Sequence, residues 1–558
     1  MQFLLIVTVW VFLLGVLLAL FRVTRKLGLK VVLVAIVAFA LLLGVNWLLG
    51  EAGQALGSIR HAGPRPWILG ALALLAAVAL VALVRFRRRL PSLKLRRVSD
   101  APADRRRAGN RLETSYAPFV GKAEHGDRLI TVSPEDTIGV VGPPRCGKTA
   151  GILIPQAMMW AGPMVSVSVR DDILSSVGDQ RARIAADHGG RVMVFDPAGS
   201  SAAELPRIAG NDLTMRWSPI AGCERPETAK LRAEAMVWAT FKEGERNLYF
   251  ETHAASLLRC MFHAAALSGK RMEDVLGWID AKDFVTPADL LRRSDSTERQ
   301  GWTSELLGYA GLGPDERGSA FSTASNALAA FKLSSILRSC STTDLDLAGF
   351  VSGHSSLFVI AGVSMQKALA PLFSALLESI AFEIIDDLAR RSGGRLEPRV
   401  LLQLDEIANI APLPNLLNLL TVAGGSGLCI SYATQSWRQL ATRYGEDGMR
   451  GVWQSTRAQI VFGSVGDATM LRDISDLMGK TMEGTKSRTR ETFKVIPGSV
   501  TSSKREVDRL RVEDIYNSHG MAHLLYRGSY TKVRPALYFD DNLGRPFHGR
   551  TGWAPAQA

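Results

Sequence analysis

Cysteine is scarce: five residues in 558, Cys146, Cys223, Cys260, Cys340 and Cys429, with no CxxC pair among them. That excludes a disulfide framework and a thiolate zinc site, and free thiols in a reducing cytoplasm are expected. Acidic residues are nearly missing from the start of the chain. Residues 1–112 hold 17 Lys or Arg against Glu51, Asp100 and Asp104, a balance of 17 − 3 = +14. The remaining 446 residues hold 49 basic and 50 acidic residues, or 49 − 50 = −1. The formal net charge of +13 therefore does not describe a basic body. Any nucleic-acid surface on that body has to be a local patch or ring, not a global field. No internal repeat or low-complexity segment stands out, so a repeat architecture is not expected.

What the first ninety residues do have is long apolar runs, at 2–21, 31–49 and 67–84. Each is long enough to cross a bilayer core, which takes about 20 helical residues. The first run lacks a basic leader and a clear small-residue cleavage site, so a span is expected there and not a cleaved signal peptide. Loop charge sets the orientation. Arg22, Arg25, Lys26 and Lys30 fill the first loop, and Arg85, Arg87, Arg88, Arg89, Lys94, Arg96 and Arg97 follow the third run. The loop 50–66 holds only Arg60 and Arg65, opposed by Glu51. The expectation is three transmembrane helices within residues 1–90, an outside N-terminus and a body on the cytoplasmic side of the cell membrane. The Arg cluster could also hold anionic headgroups. Residues 91–128 read as a basic linker.

The run 136–142 is a short buried strand ending in Gly142, followed by Pro143, Pro144, Arg145, Cys146, Gly147, Lys148, Thr149 and Ala150 and then by helical spacing. Strand, Gly-rich loop and helix are the context that a G-x-x-x-x-G-K-[ST] match requires. Backbone N–H groups of such a loop point at phosphates. Lys148 adds a point charge at the β- and γ-phosphates, and Thr149 offers a hydroxyl to Mg²⁺. Pro143 and Pro144 have no N–H to give, but they come early in the loop. Cys146 either fills the loop as a small residue or, at a helix N-terminus, has a lowered thiol pKa.

A phosphate loop needs a partner carboxylate. The strand-like run 399–404 ends at Asp405 and Glu406. Asp405 suits the Mg²⁺ shell, and Glu406 can polarise an attacking water. A second buried run, 427–433, delivers Thr434 and Gln435 to the same sheet edge. Gln435 either senses the γ-phosphate or caps the next helix. The catalytic set is then Lys148, Glu406 and Gln435, with Thr149 and Asp405 on the metal.

Further strands are expected at 164–169, 191–196, 356–361, 457–462 and 521–526, with helical patterns between them. This alternation implies a mainly parallel α/β sheet whose C-terminal edges carry the site. Asp196 ends one such strand as a further site candidate or a structural turn. Residues 205–345 show helical runs and no strand, and read as an inserted all-α domain. The ATPase domain is then 129–204 plus 346–545. Residues 480–505 read as an exposed loop and 546–558 as a flexible tail.

These pieces resemble the type IV secretion coupling proteins, the TraG/TraD-like conjugative ATPases of actinobacterial type. The resemblance is carried by GPPRCGKT at 142–149, VFDPAGS at 194–200, NLYFETHAASLLRCMFHAAA at 247–266, SAFSTASNAL at 319–328, LLQLDEIANIAPLPNL at 401–416, ATQSWRQL at 433–440 and GMAHLLYRG at 520–528. It implies a RecA-like P-loop NTPase fold with an all-α insertion, preceded by N-terminal transmembrane helices. It also implies ATP and Mg²⁺ as cofactors and a homo-hexamer at the membrane. The implied cargo is a relaxase-bound single-stranded DNA or a protein effector, delivered to the channel components of a secretion system. A receptor that only binds nucleotide is the non-catalytic alternative. Many members carry an Arg where this chain has Gly425-Ser426-Gly427, which leaves the residue acting on a neighbour's nucleotide open; Arg438 is one alternative. Residues 170–172 also depart from the family's pattern.

Overall fold

The computed structural model describes residues 115–126, 128–200, 213–488, 500–518 and 520–539. The three expected membrane runs, the first part of the expected linker and the expected tail 546–558 lie outside these residues. The described strands, in chain order, are β1 (Phe119–Ala123), β2 (Leu129–Thr131), β3 (Ile138–Val141), β4 (Met164–Ser168), β5 (Val192–Phe195), β6 (Ser356–Ile360), β7 (Val400–Leu404), β8 (Leu428–Thr434), β9 (Ala458–Phe462), β10 (Lys480–Arg488), β11 (Val500–Asp508), β12 (Ala522–Tyr526) and β13 (Ser529–Arg534).

Eleven of them form one sheet in the order β2-β1-β13-β12-β9-β3-β8-β7-β4-β6-β5. From β9 to β5 every neighbouring pair is parallel. β12, β13, β1 and β2 extend the sheet with antiparallel pairs. The strands β3 to β8 are buried at every position, as expected of parallel strands covered on both faces. All the strands read from apolar runs are present. The fold is the expected α/β RecA-like P-loop architecture with an all-helical insertion.

Two expectations are corrected. Residues 119–123 fall inside the expected linker 91–128, yet they form β1, paired with β2 and β13. The strand is short and follows an Arg-rich stretch, so local composition hides it. At Gly121 the φ is 143° and an added Cβ would stand 2.9 Å from the Val533 Cβ, so close strand approach requires glycine there. Residues 480–505, expected to be a loop, contribute β10 and β11, an antiparallel ribbon with nine register pairs from Lys480↔Asp508 to Arg488↔Val500. The ribbon is a separate two-stranded sheet. Strands that do not join the core sheet need no apolar alternation, and the Thr/Ser/Lys/Arg composition carries none.

Between β5 and β6 the described residues form helices, including Pro226–Thr240, Leu248–Leu267 and Pro314–Ala327. Among the described residues the core of this insertion is continuous with that of the sheet. Met236, Leu257, Phe262 and Leu291 from it belong to the same buried cluster as Val141, Val167, Leu404 and Ile430 from the sheet. The helix Gln366–Phe382 joins the two halves, burying Leu369, Leu372, Phe373, Leu376 and Leu377 in that cluster. Its extension to Arg391 makes it the one helix among the described residues long and apolar enough to cross a membrane, but it is mostly buried within the fold.

Candidate nucleotide site

The order β3-β8-β7 brings three strand ends together. The P-loop leaves β3, Asp405 and Glu406 follow β7, and Gln435 follows β8 from between them. Register keeps the ends level: Val141 is opposite Thr434, and Leu404 is opposite Tyr432. The Gly142 N–H donates to the Thr434 carbonyl at 3.2 Å. Sheet topology, not sequence proximity, assembles the site at the carboxyl edge of a doubly wound sheet.

Gly142 is required by close packing, since a Cβ would lie 2.6 Å from Cys146 Sγ and 2.8 Å from Phe462 Cβ. Arg145 at φ 63° and Gly147 at φ 96° turn the loop through left-handed conformations. Alternation of left- and right-handed backbone turns successive N–H groups inward, as an anion-binding nest. The chain then enters a π turn at Thr149–Leu153 before the helix Ile154–Met159. Cys146 is not activated: burial, the largest cause, pushes its thiol pKa up, and Lys148 opposes this only in part. Burial and the packing of Cys146 against the cluster that includes Phe462 favour the packing reading.

Lys148 is buried, and its Nζ donates to the carbonyls of Gly142 at 2.6 Å and Pro143 at 3.0 Å. The ammonium thus lies across the cradle. Thr149 Oγ1 donates to Asp405 Oδ2 at 3.0 Å, joining the two expected metal residues directly. Burial, reinforced by Glu406, pushes the Asp405 carboxyl up to about 7; the Thr149 hydrogen bond acts the other way and Asp172 adds a smaller upward push. A buried carboxyl with one hydroxyl partner and a raised pKa is short of a cation. Mg²⁺ fits this oxygen pair, a hard ion that binds through one or two protein ligands plus phosphates.

Glu406 sits at φ 58°, ψ 46°, left-handed for a non-glycine residue. Such strain costs about 1–3 kcal/mol and concentrates at functional sites. Its Oε1 accepts a hydrogen bond from Gln435 Nε2 at 2.9 Å, while its Oε2 is buried without a partner. Gln435 is not the helix cap. Ser436 is, its hydroxyl accepting from the Gln439 N–H. Gln439 Oε1 in turn accepts from the Gln435 N–H at 3.1 Å and from Thr434 Oγ1 at 3.2 Å. Sequence reasoning missed Ser436 and Gln439, although S-x-x-Q before a helix is a capping-box signature.

The other candidates divide. Asp196 Oδ1 accepts from the Ser200 N–H at 2.9 Å, a turn arrangement. Arg438 is exposed on the helix Trp437–Ser455. Gly425 precedes β8 at its amino end. Seven residues of strand, about 23 Å, separate that end from the site. A side chain there would lie far from this chain's own nucleotide site. At the same turn an added Cβ on Gly427 would stand 2.4 Å from the Leu396 carbonyl.

Two predictions arise here. Gln435→Ala, which frees Glu406 without touching the P-loop, should lower kcat by about 10- to 100-fold, the cost of misplacing a reacting group, with KM little changed; steady-state kinetics with an unaltered kcat would refute the positioning role. The second concerns pH. Asp405 must be ionised to hold a cation, and its pKa is raised to about 7. Magnesium-dependent nucleotide affinity should therefore fall about tenfold per pH unit below 7 and level off above it, and Asp405→Asn should remove this part of the slope in a fluorescent-nucleotide titration. The sign for stability is opposite to that of a salt-bridged carboxylate. The folded state keeps a proton that the unfolded chain loses near pH 4, so without ligand stability declines as pH rises from about 4 to 7.

Comparison with known proteins finds one matching segment and a set of similar folds. Residues 399–519 match the family model described as the TraM recognition site of TraD and TraG. The fold is similar to the bacterial conjugative coupling protein TrwBdeltaN70 in its unbound form, at 18% identity and TM-score 0.55, covering 73% of this chain and 87% of that one. It is similar to the plasmid coupling protein TrwB with the non-hydrolysable ATP analogue ADPNP, at 18% identity and TM-score 0.53 over 73% and 87% of the two chains. The form of TrwB with ADP and Mg²⁺ gives 18% identity and TM-score 0.53 over 73% and 88%. No curated protein sequence matches the chain. The resemblance to TraG/TraD-like coupling proteins therefore holds in both segment and fold.

Proposed function

We propose that this chain, which carries the TraD/TraG segment on a coupling-protein fold, is an ATP-hydrolysing motor that delivers relaxase-bound single-stranded DNA to a type IV secretion channel. The observation that carries the hydrolytic part is the Gln435–Glu406 contact beside the Thr149–Asp405 pair. A simple nucleotide receptor needs the second pair but not the first. The P-loop N–H groups hold the phosphates and Lys148 turns from the Gly142 and Pro143 carbonyls to the β- and γ-oxygens. Glu406, with one oxygen fixed by Gln435 and the other free, accepts the proton of the attacking water. Thr149 and Asp405 would hold Mg²⁺, which would supply positive charge beside the phosphate oxygens. TrwB in complex with ADPNP, and with ADP and Mg²⁺, supports this choice of ligands.

Nucleic-acid cargo is supported by local charge. The ribbon segment 480–511 contains Lys480, Lys486, Arg488, Arg490, Lys494, Lys504, Arg505, Arg509 and Arg511 against Glu483, Glu491, Glu506 and Asp508. That is a net 9 − 4 = +5 in a stretch of sequence, while the rest of the body carries −1 − 5 = −6. The remaining parts of the reading rest on the apolar runs and on the family resemblance: a multi-pass anchor in the cell membrane, a body in the cytoplasm, domains at 129–204 plus 346–545 and at 205–345, and a homo-hexamer. Single-stranded DNA should stimulate ATP turnover several-fold, and the effect should shrink steeply between 50 and 200 mM salt as counterions compete. Absence of both stimulation and DNA retention would shift the reading to protein effectors as cargo.

A further inference from the structure

The helix Trp437–Ser455 begins at the site. Gln439 holds the backbone of Gln435, as described above. Arg443, one turn further on, is only 7% exposed, and its hydrogen bonds go to backbone carbonyls alone. Its Nε donates to Ala408 at 3.3 Å, and its Nη1 donates to Ala239 at 3.1 Å and Phe241 at 2.8 Å. Ala408 lies in the short helix Ile407–Ile410 that follows Glu406 directly. Ala239 and Phe241 stand at the end of Pro226–Thr240, the first described helix of the insertion. The last carbonyls of a helix have no partner within it and carry its negative dipole end. One guanidinium thus caps two helices, one beside the catalytic carboxylate and one in the insertion.

Tyr444 ties the segment just after the helix Ile407–Ile410 to the same end of the insertion helix. Tyr444 Oη accepts from the Leu413 N–H at 3.1 Å, and its ring lies 5.3 Å from Trp238 of the insertion. Arg246, also from the insertion, lies over Trp238 at 5.2 Å. Gly445 then leaves the helical conformation at φ 75°, ψ 169°, which interrupts the helix at this junction. Among the described residues Arg443 makes no close ion pair and is opposed only through space by Glu245, and such a buried charge adds little to stability over an apolar residue of the same volume. What Arg443 supplies that an apolar residue cannot is a fixed fork with several donors.

We propose that Arg443 is a positioning residue that couples the helical insertion to Glu406. A shift of the helix Pro226–Thr240 is transmitted through the guanidinium to Ala408 and so to the carboxylate two residues earlier; nucleotide capture sends the same signal in reverse. The inference rests on the nucleotide reading above, but it needs no assumption about cargo.

The test is hydrogen exchange of the full-length chain with and without the magnesium complex of a non-hydrolysable ATP analogue. In the wild type, exchange should slow at least threefold both in the P-loop (142–153) and in 236–246. In Arg443→Met, which keeps side-chain volume, the P-loop protection should persist while the response at 236–246 disappears. Arg443→Lys keeps the buried cation but loses the fork, guards against a folding failure of the first variant, and should show the same loss. A full-sized response at 236–246 in either variant overturns the proposal. So does a wild type that protects its P-loop with no change at 236–246, and so does joint loss of both responses in a folded variant. No P-loop protection in the wild type would refute the nucleotide reading itself, and the coupling with it.

Discussion

Lys148→Ala is expected to cut ATP turnover by about 10²–10³-fold or more, the scale set by removing one preorganised charge from a transition state, and to weaken nucleotide binding as well. The reason is position. The Lys148 Nζ is buried and is held by the Gly142 and Pro143 carbonyls. It therefore acts at short range in a partly desolvated cradle, where a charge is worth more than in water. The ligand-free fold should survive: the substitution releases the Gly142 and Pro143 carbonyls, but the left-handed turns at Arg145 and Gly147 and the pairing of β3 with β8 and β9 do not involve the ammonium. Thermal unfolding without nucleotide checks the fold, and steady-state turnover checks the claim. A folded variant with wild-type turnover would end the motor reading.

Glu406→Gln should separate binding from chemistry. The amide oxygen of the new side chain can still accept from Gln435 Nε2, now 2.9 Å from Glu406 Oε1, so the positioning contact is kept. The basicity is lost. Turnover should fall by about 10²–10⁴-fold, the range for a general base, while nucleotide affinity stays within a few-fold. An affinity loss as large as the loss of turnover would mean that the carboxylate holds the site together and does not accept the proton. Because the left-handed backbone at 406 is equally awkward for glutamine, the variant should keep the wild-type thermal stability closely.

The site was legible in the sequence where motifs carry their own geometry. GPPRCGKT needs a strand before it and a helix after it, and both are there. Asp405, Glu406 and Gln435 could be named because each ends an apolar run, which puts all three at one edge of a parallel sheet. Which strand lies between which was not legible. The placement of β8 between β3 and β7 is a long-range pairing, and it decides that Gln435 touches Glu406. β1 was lost for a related reason. Five residues with one glycine carry no pattern of their own, and only β2 and β13, the latter some 400 residues away, make them a strand. Cys146 shows competing terms: its place at a helix start argues for a reactive thiol, and its burial against Phe462 outweighs this. Arg443 was not legible, since nothing local says that its partners are three carbonyls from two distant segments.

The shared core of insertion and sheet also limits how the protein can change. Were the insertion a detachable module, a different cargo preference could be acquired by exchanging residues 205–345 for another version. Met236, Leu257, Phe262 and Leu291 are packed in one cluster with the sheet and with the helix Gln366–Phe382, so a transplanted version would arrive with side chains shaped for other neighbours. Such mismatches in a close-packed interior typically cost about 1–3 kcal/mol each, and a few of them equal the whole stability of a domain. New specificity is therefore constrained to come from exposed positions, such as Leu248, Tyr249, Val285 and Leu333 on the insertion, by substitutions that leave the packed inner faces of insertion and sheet unchanged.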